Sequence, residues 1–136
     1  MIIPHLHFCG NCRRAIAKYE AAFNTRAEDV ISSGEYARDA SHKALNSYDD
    51  DGIAHAVMHI HGQKIYLNDR FGNKNKTLDC AVHLIVTFAT ADELLACFAV
   101  FAENATVIDP FETLPYSELA GNFIDEFGVQ WGFMVE

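Results

Sequence analysis

Basic residues are scarce in this chain of 136: ten Lys and Arg stand against nineteen Asp and Glu, a formal net charge of −9. That balance argues against nucleic acid or an anionic membrane surface as a partner. No apolar run approaches the roughly 18–20 residues that span a bilayer. The start shows no basic stretch leading through an apolar run to a small-residue cleavage site. The expectation is a soluble cytoplasmic protein whose four Cys stay reduced. Asp49-Asp50-Asp51 lacks the Gly and terminal Glu of a calcium loop and reads as solvated charge. Half the residues are hydrophobic, ten of them Phe. The chain is therefore long and apolar enough for one domain with a core that needs no disulfide or metal staples.

One short pattern is stated twice, about eighty residues apart. The first copy runs His5-Leu6, Asn11, a helical stretch through Phe23, then Asn24; the second runs His83-Leu84, Thr90, a helical stretch through Phe101, then Asn104. Self-similarity at this scale implies two copies of one supersecondary unit about a pseudo-twofold axis, which would bring His5 and His83 toward one shared cleft.

Residues 3–9 read as a strand, with Leu6 and Phe8 on one side and His5 and His7 on the other. Asn11 is an N-cap candidate; Ala15, Ile16, Tyr19, Ala22 and Phe23 form a helical stripe that Asn24 ends. A short strand is expected over 27–32, then a long polar surface loop over 34–52, either a lid or a solvated insertion. Along 53–61, Ala54, Ala56, Met58 and Ile60 alternate with His55, Val57, His59 and His61. Gly62-Gln63 turns the chain into 64–68, where Ile65 and Leu67 oppose Tyr66.

The second copy opens with a strand over 81–88, its apolar face formed by Val82, Leu84, Val86 and Phe88. Thr90 to Glu93 makes a capping box, and Leu94, Leu95, Phe98, Phe101 and Ala102 supply a buried stripe. Helices are expected near 11–23 and 91–103, and further strands near 106–110, 119–124 and 129–135. Each half is then a βαβββ unit in an α+β fold: module one about 1–70, module two about 78–136, together one domain spanning 1–136.

If the apolar sets face the helices, then His5, His7, His55, His59 and His83 face the open side. Imidazoles suit ligand binding, metal ligation and proton transfer near neutral pH. The plainer alternative is strand histidines hydrogen-bonded to neighbours or water.

Pro4-x-Leu6-x-Phe8-x-Gly10-Asn11 with Ala15, Tyr19 and Phe23 resembles the opening of PhnB-like proteins. These are a branch of the vicinal-oxygen-chelate superfamily, whose other members include glyoxalase I, bleomycin-resistance proteins and extradiol dioxygenases. The resemblance continues at Ile53 to Ala56, at Ile65 to Asp69 and at Asp125 to Trp131, and leaves out only the 34–52 segment. It implies paired modules forming a U-shaped, partly open mixed-sheet cleft with helices outside, and a homodimer. Metal-dependent relatives place ligands on the first and fourth strands of each module. By that resemblance His83 matches one ligand, while Gly132 stands where a carboxylate belongs, Glu136 lies four residues beyond it with the same parity, and Tyr66 replaces the acid of module one.

The leading expectation is therefore a protein that binds a small polar organic ligand through His5, His7, His59, Tyr66 and His83, with no obligatory metal. A second is a metal-dependent lyase, isomerase or dioxygenase, its weakly bound divalent ion held by His83 with His5 or His7 and Glu136. A third is a redox or zinc protein built on Cys9-x-x-Cys12, although a zinc ribbon needs a second close pair, and Cys80 and Cys97 are far apart. The expected partners are a small molecule and a second copy of the chain.

Overall fold

The computed structural model describes residues 1–38, 51–69 and 82–136, the side chains of 37 and 38 excepted. The chain forms two compact units, Met1–Thr77 and Leu78–Glu136.

In the first unit, strand β1 (His5–Phe8) leads into helix α1 (Cys12–Phe23), strand β2 (Glu28–Ser32), helix α2 (Ser33–Arg38), and strands β3 (Ile53–Ile60) and β4 (Gln63–Asp69). The sheet order is β1-β4-β3-β2, with β1 parallel to β4 and the other pairs antiparallel. Cys12, Ala15, Ile16, Tyr19 and Phe23 are the buried residues of α1. Phe8, Ala56, Met58, Ile60, Ile65 and Leu67 are the buried apolar positions of β1, β3 and β4 that share the other parity from the histidines. At about 25 cal/mol per Å² of apolar surface, this burial is the main stabilising term of the unit.

The second unit repeats the plan. Strand β5 (Leu84–Phe88) leads to helix α3 (Ala91–Phe101) and strands β6 (Thr106–Leu114), β7 (Ser117–Ile124) and β8 (Gln130–Val135). The order is β5-β8-β7-β6, again with one parallel pair, β5 with β8. Its core is aromatic: the Phe101, Phe123 and Phe133 rings lie 5.0–6.1 Å apart, with Trp131 6.1 Å from Phe101. Gly121 lacks a side chain where the Phe111 ring lies, since a Cβ there would come within 2.7 Å of it.

The structure departs from the sequence expectations at several ends. Asn11 makes no side-chain cap; Asp69, from the end of β4, accepts from the backbone N–H of Gly10 (2.8 Å) and of Cys12 (3.1 Å). Its other oxygen accepts from Ile53 N–H at 2.9 Å. A buried carboxylate at a helix start meets both the unpaired donors and the positive end of the dipole. Asn24 is left-handed as expected (φ 49°), but α3 ends without a left-handed residue, and Asn104 N–H only bonds back to Phe101.

Along α3 the buried residues are Leu94, Cys97 and Phe101, whereas Leu95 and Ala102 are exposed. The β3–β4 turn is His61-Gly62, both at positive φ, so His61 leaves the strand alternation and its ring meets Phe23. The expected 34–52 loop begins as helix α2, where Ser32 and Glu35 cap one another reciprocally: Glu35 N–H donates to Ser32 Oγ and Ser32 N–H to a Glu35 carboxylate oxygen. Residues 39–50, on which the lid reading rests, lie outside the described residues. Strand β6 runs four residues beyond its expected end.

Candidate functional site

The sheet of the first unit (sheet 1) places four rings together on the face with the parity of His5. Register pairs His5 with Tyr66 and His7 with Asn68 across the parallel strands. The His5 and His7 ring centroids are 4.2 Å apart; Tyr66 lies edge-on to His5 at 5.9 Å and to His55 at 5.1 Å. His7 Nδ1 lies 2.7 Å from Asn68 Oδ1, so that nitrogen carries the proton it donates. The Lys64 ammonium sits 5.6 Å from the centre of the Tyr66 ring. Burial depresses the His5 pKa first, and the charges of His7 and then His55 add to it.

Of the residues named from sequence, His5, His7 and Tyr66 are thus brought together. His59 is exposed and paired with Lys64, further along β3. His55 is a member of this cluster that the sequence reading placed on the face without choosing it. Asn68 was missed, although its parity with Tyr66 was the available signal.

The sheet of the second unit (sheet 2) carries a cavity of about 460 Å³ on the face away from its aromatic core. Its floor is His83, Asn122 and Gly132. A Cβ at Gly132 would lie 2.7 Å from Asn122 Oδ1 and 3.4 Å from His83 Nε2, so the missing side chain is what lets these two groups converge. Asn122 Nδ2 donates in turn to Asp109 at 2.8 Å. His83 precedes β5, and the sequence alternation put it on this face; Asn122 and Asp109 were not singled out. Glu136 stands beyond the end of β8 and is not part of the cavity lining.

His5 and His83 are not equivalent. His5 pairs with Tyr66 and Ile85 with Gly132, while Phe8 pairs with Asp69 and Phe88 with Val135. Ile85 is therefore the counterpart of His5, and His83 lies two residues earlier on the same face. Tyr66 and Gly132 do correspond, which leaves neither fourth strand with a carboxylate at that position. No group of three or more His, Cys, Asp or Glu among the described residues is placed to hold a metal ion. The described donors thus do not fit the metal layout of the glyoxalase I type.

Cys12 and Cys97 read as structural. Burial, then the Asp69 carboxylate, pushes the Cys12 thiol well above the ordinary thiol range, and burial pushes Cys97 up to about 12. A reactive cysteine needs the opposite shift.

No protein-family profile matches the chain. YjdN of Escherichia coli K12 is 29% identical over 133 residues, covering 94% of this chain and 90% of that protein. A PhnB protein from Bacillus cereus superposes with a TM-score of 0.81 at 24% identity, covering 99% of this chain and 98% of that one. A glyoxylase/bleomycin resistance protein/dioxygenase domain from Frankia sp. EAN1pec gives 0.65 at 14% identity, covering 99% and 95%. With its twice-repeated strand order and a likeness that runs nearly end to end, the chain shares the fold of these two solved structures.

Proposed function

We propose that this protein binds a small polar organic ligand, without an obligatory metal, through the open sheet faces that carry His5, His7, His59 and Tyr66 in one unit and His83 in the other. The observation that supports it is the convergence of polar groups around missing bulk: His83 and Asn122 meet over Gly132 at the floor of a ligand-sized cavity. The imidazoles of sheet 1 offer both donors and acceptors near neutral pH. The reading includes a homodimer, supported by apolar residues on edge strands: Val30 and Ile31 on β2, and Val107 and Ile108 on β6, are exposed. It also includes a cytoplasmic location, with which the unbridged thiols of Cys12 and Cys97 agree.

The test compares wild type with His83→Ala, both purified without chelator or affinity tag. Metal content is measured directly, and a panel of small polar organic acids, amines and alcohols is screened by thermal shift before and after EDTA. Binding that survives EDTA and is weakened by His83→Ala supports the proposal. Stoichiometric metal that His83→Ala removes would replace it with a metal-dependent lyase, isomerase or dioxygenase. Stabilisation by no compound in either protein would sink it.

A further inference from the structure

One wall of the sheet 2 cavity is acidic. Asp109 and Glu112 both line it, although a spacing of three would put them on opposite faces of a regular strand. The register explains their meeting: Asp109 pairs with Asn122 and Glu112 with Ala120, so three steps along β6 match two along β7. A bulge at this point, beside Pro110, turns both carboxylates to one side. Asp109 accepts from Asn122, whereas the Glu112 carboxylate takes part in no hydrogen bond or ion pair among the described residues. Among the described residues no Lys or Arg lines the cavity, and Ile85, Leu114 and Met134 make its other walls apolar. An open volume of about 460 Å³ accommodates a ring-sized molecule.

We infer that this cavity takes a small organic cation with an apolar body, of the arylalkylammonium class, with Asp109 and Glu112 as its charge partners. The inference rests on the small-molecule reading above and adds the ligand's charge and shape. An anion would face two carboxylates with no cation among the described lining residues to offset them, and a neutral molecule would gain only the apolar walls. The Asn122 amide, anchored by Asp109, and the His83 ring would complete the floor under the bound ion. Tyr116, exposed and also lining the cavity, offers a π-face to a cationic head.

The experiment uses the full chain at pH 7.5 and three probes of similar size: benzylammonium, benzyl alcohol and benzoate. Amide chemical shifts are followed by NMR titration. Benzylammonium should perturb Ile85, Asn122 and Gly132 and bind about tenfold or more tightly than benzyl alcohol, with the margin shrinking in high salt. Glu112→Gln should cut the margin severalfold, and adding Asp109→Asn, which can still accept from Asn122, should abolish it. Circular dichroism on both variants confirms that the fold survives; if the double variant unfolds, Glu112→Gln alone decides. Equal binding of the alcohol, or tighter binding of benzoate, overturns the cation assignment while leaving the small-molecule reading intact. No perturbation of sheet 2 by any probe overturns both.

Discussion

Gly132 and Tyr66 occupy matching register positions, and each decides its sheet's open face by opposite means. Tyr66 fills the position with a ring against which His5 and His55 pack; Gly132 leaves it open, and Asn122 and His83 close in. The crowding on sheet 1 has a measurable consequence. His5 titrates below its ordinary 6.5 because it is partly buried and because His7 and His55 gain charge beside it. Below 6.5 the unfolded chain therefore binds more protons at this site than the folded one, so stability rises with pH through that window. Stability is complete above about 6.5 and is lost as pH falls toward the folded-state value of His5. Urea midpoints measured from pH 7.5 down to 5.5 should fall, and His5→Gln should flatten that fall. An identical pH dependence in the variant would remove His5 as its source.

At the scale of elements, the two long helices begin by different means. The side chain of Thr90 caps α3 itself, accepting from Glu93 N–H at 3.2 Å, whereas α1 depends on Asp69 across 57 residues of sequence. Thr90→Ala should cost about 1 kcal/mol, the usual worth of an N-cap. Asn11→Ala should cost little, because its side chain caps nothing. Asp69→Ala should cost roughly 3 kcal/mol, since it strands buried N–H groups and removes a negative charge from the helix start. Denaturant unfolding of the three variants checks the order; a loss at Asn11 as large as that at Asp69 would contradict it. Asp125 acts similarly in the second unit, accepting from the N–H groups of Phe127 and Val129 and from Trp131 Nε1, each at 2.9 Å. In two segments that carry the resemblance, 65–69 and 125–131, Asp69 and Asp125 thus serve to hold the fold.

At the scale of the molecule, the same strand order occurs twice, and in each sheet the strand that follows the helix ends at an edge: β2 in one, β6 in the other. Val107 and Ile108 remain 46% and 51% exposed on the second of these. A hydrophobic edge left in water is an invitation to pairing. Sedimentation equilibrium at micromolar concentration should return about twice the 15.2 kDa of one chain. A single-chain mass would refute the dimer.

The alternation of apolar and polar residues is a local property, so the sequence by itself determined the strands, the two long helices, the face that His5, His7 and His55 share, and the duplication. Capping by Thr90 was legible for the same reason: donor and acceptor lie three residues apart. Register is not local, because it is set by which strands pair and by how far each slides to bury its apolar face. Only the tertiary structure could therefore make Ile85 rather than His83 the counterpart of His5, bring Asp69 beneath the start of α1, and set Asn122 in the space beside Gly132. The bulge in β6 is the sharpest case. A strict period of two separates Asp109 from Glu112, and it is the pairing with β7, one step short, that joins them on one wall.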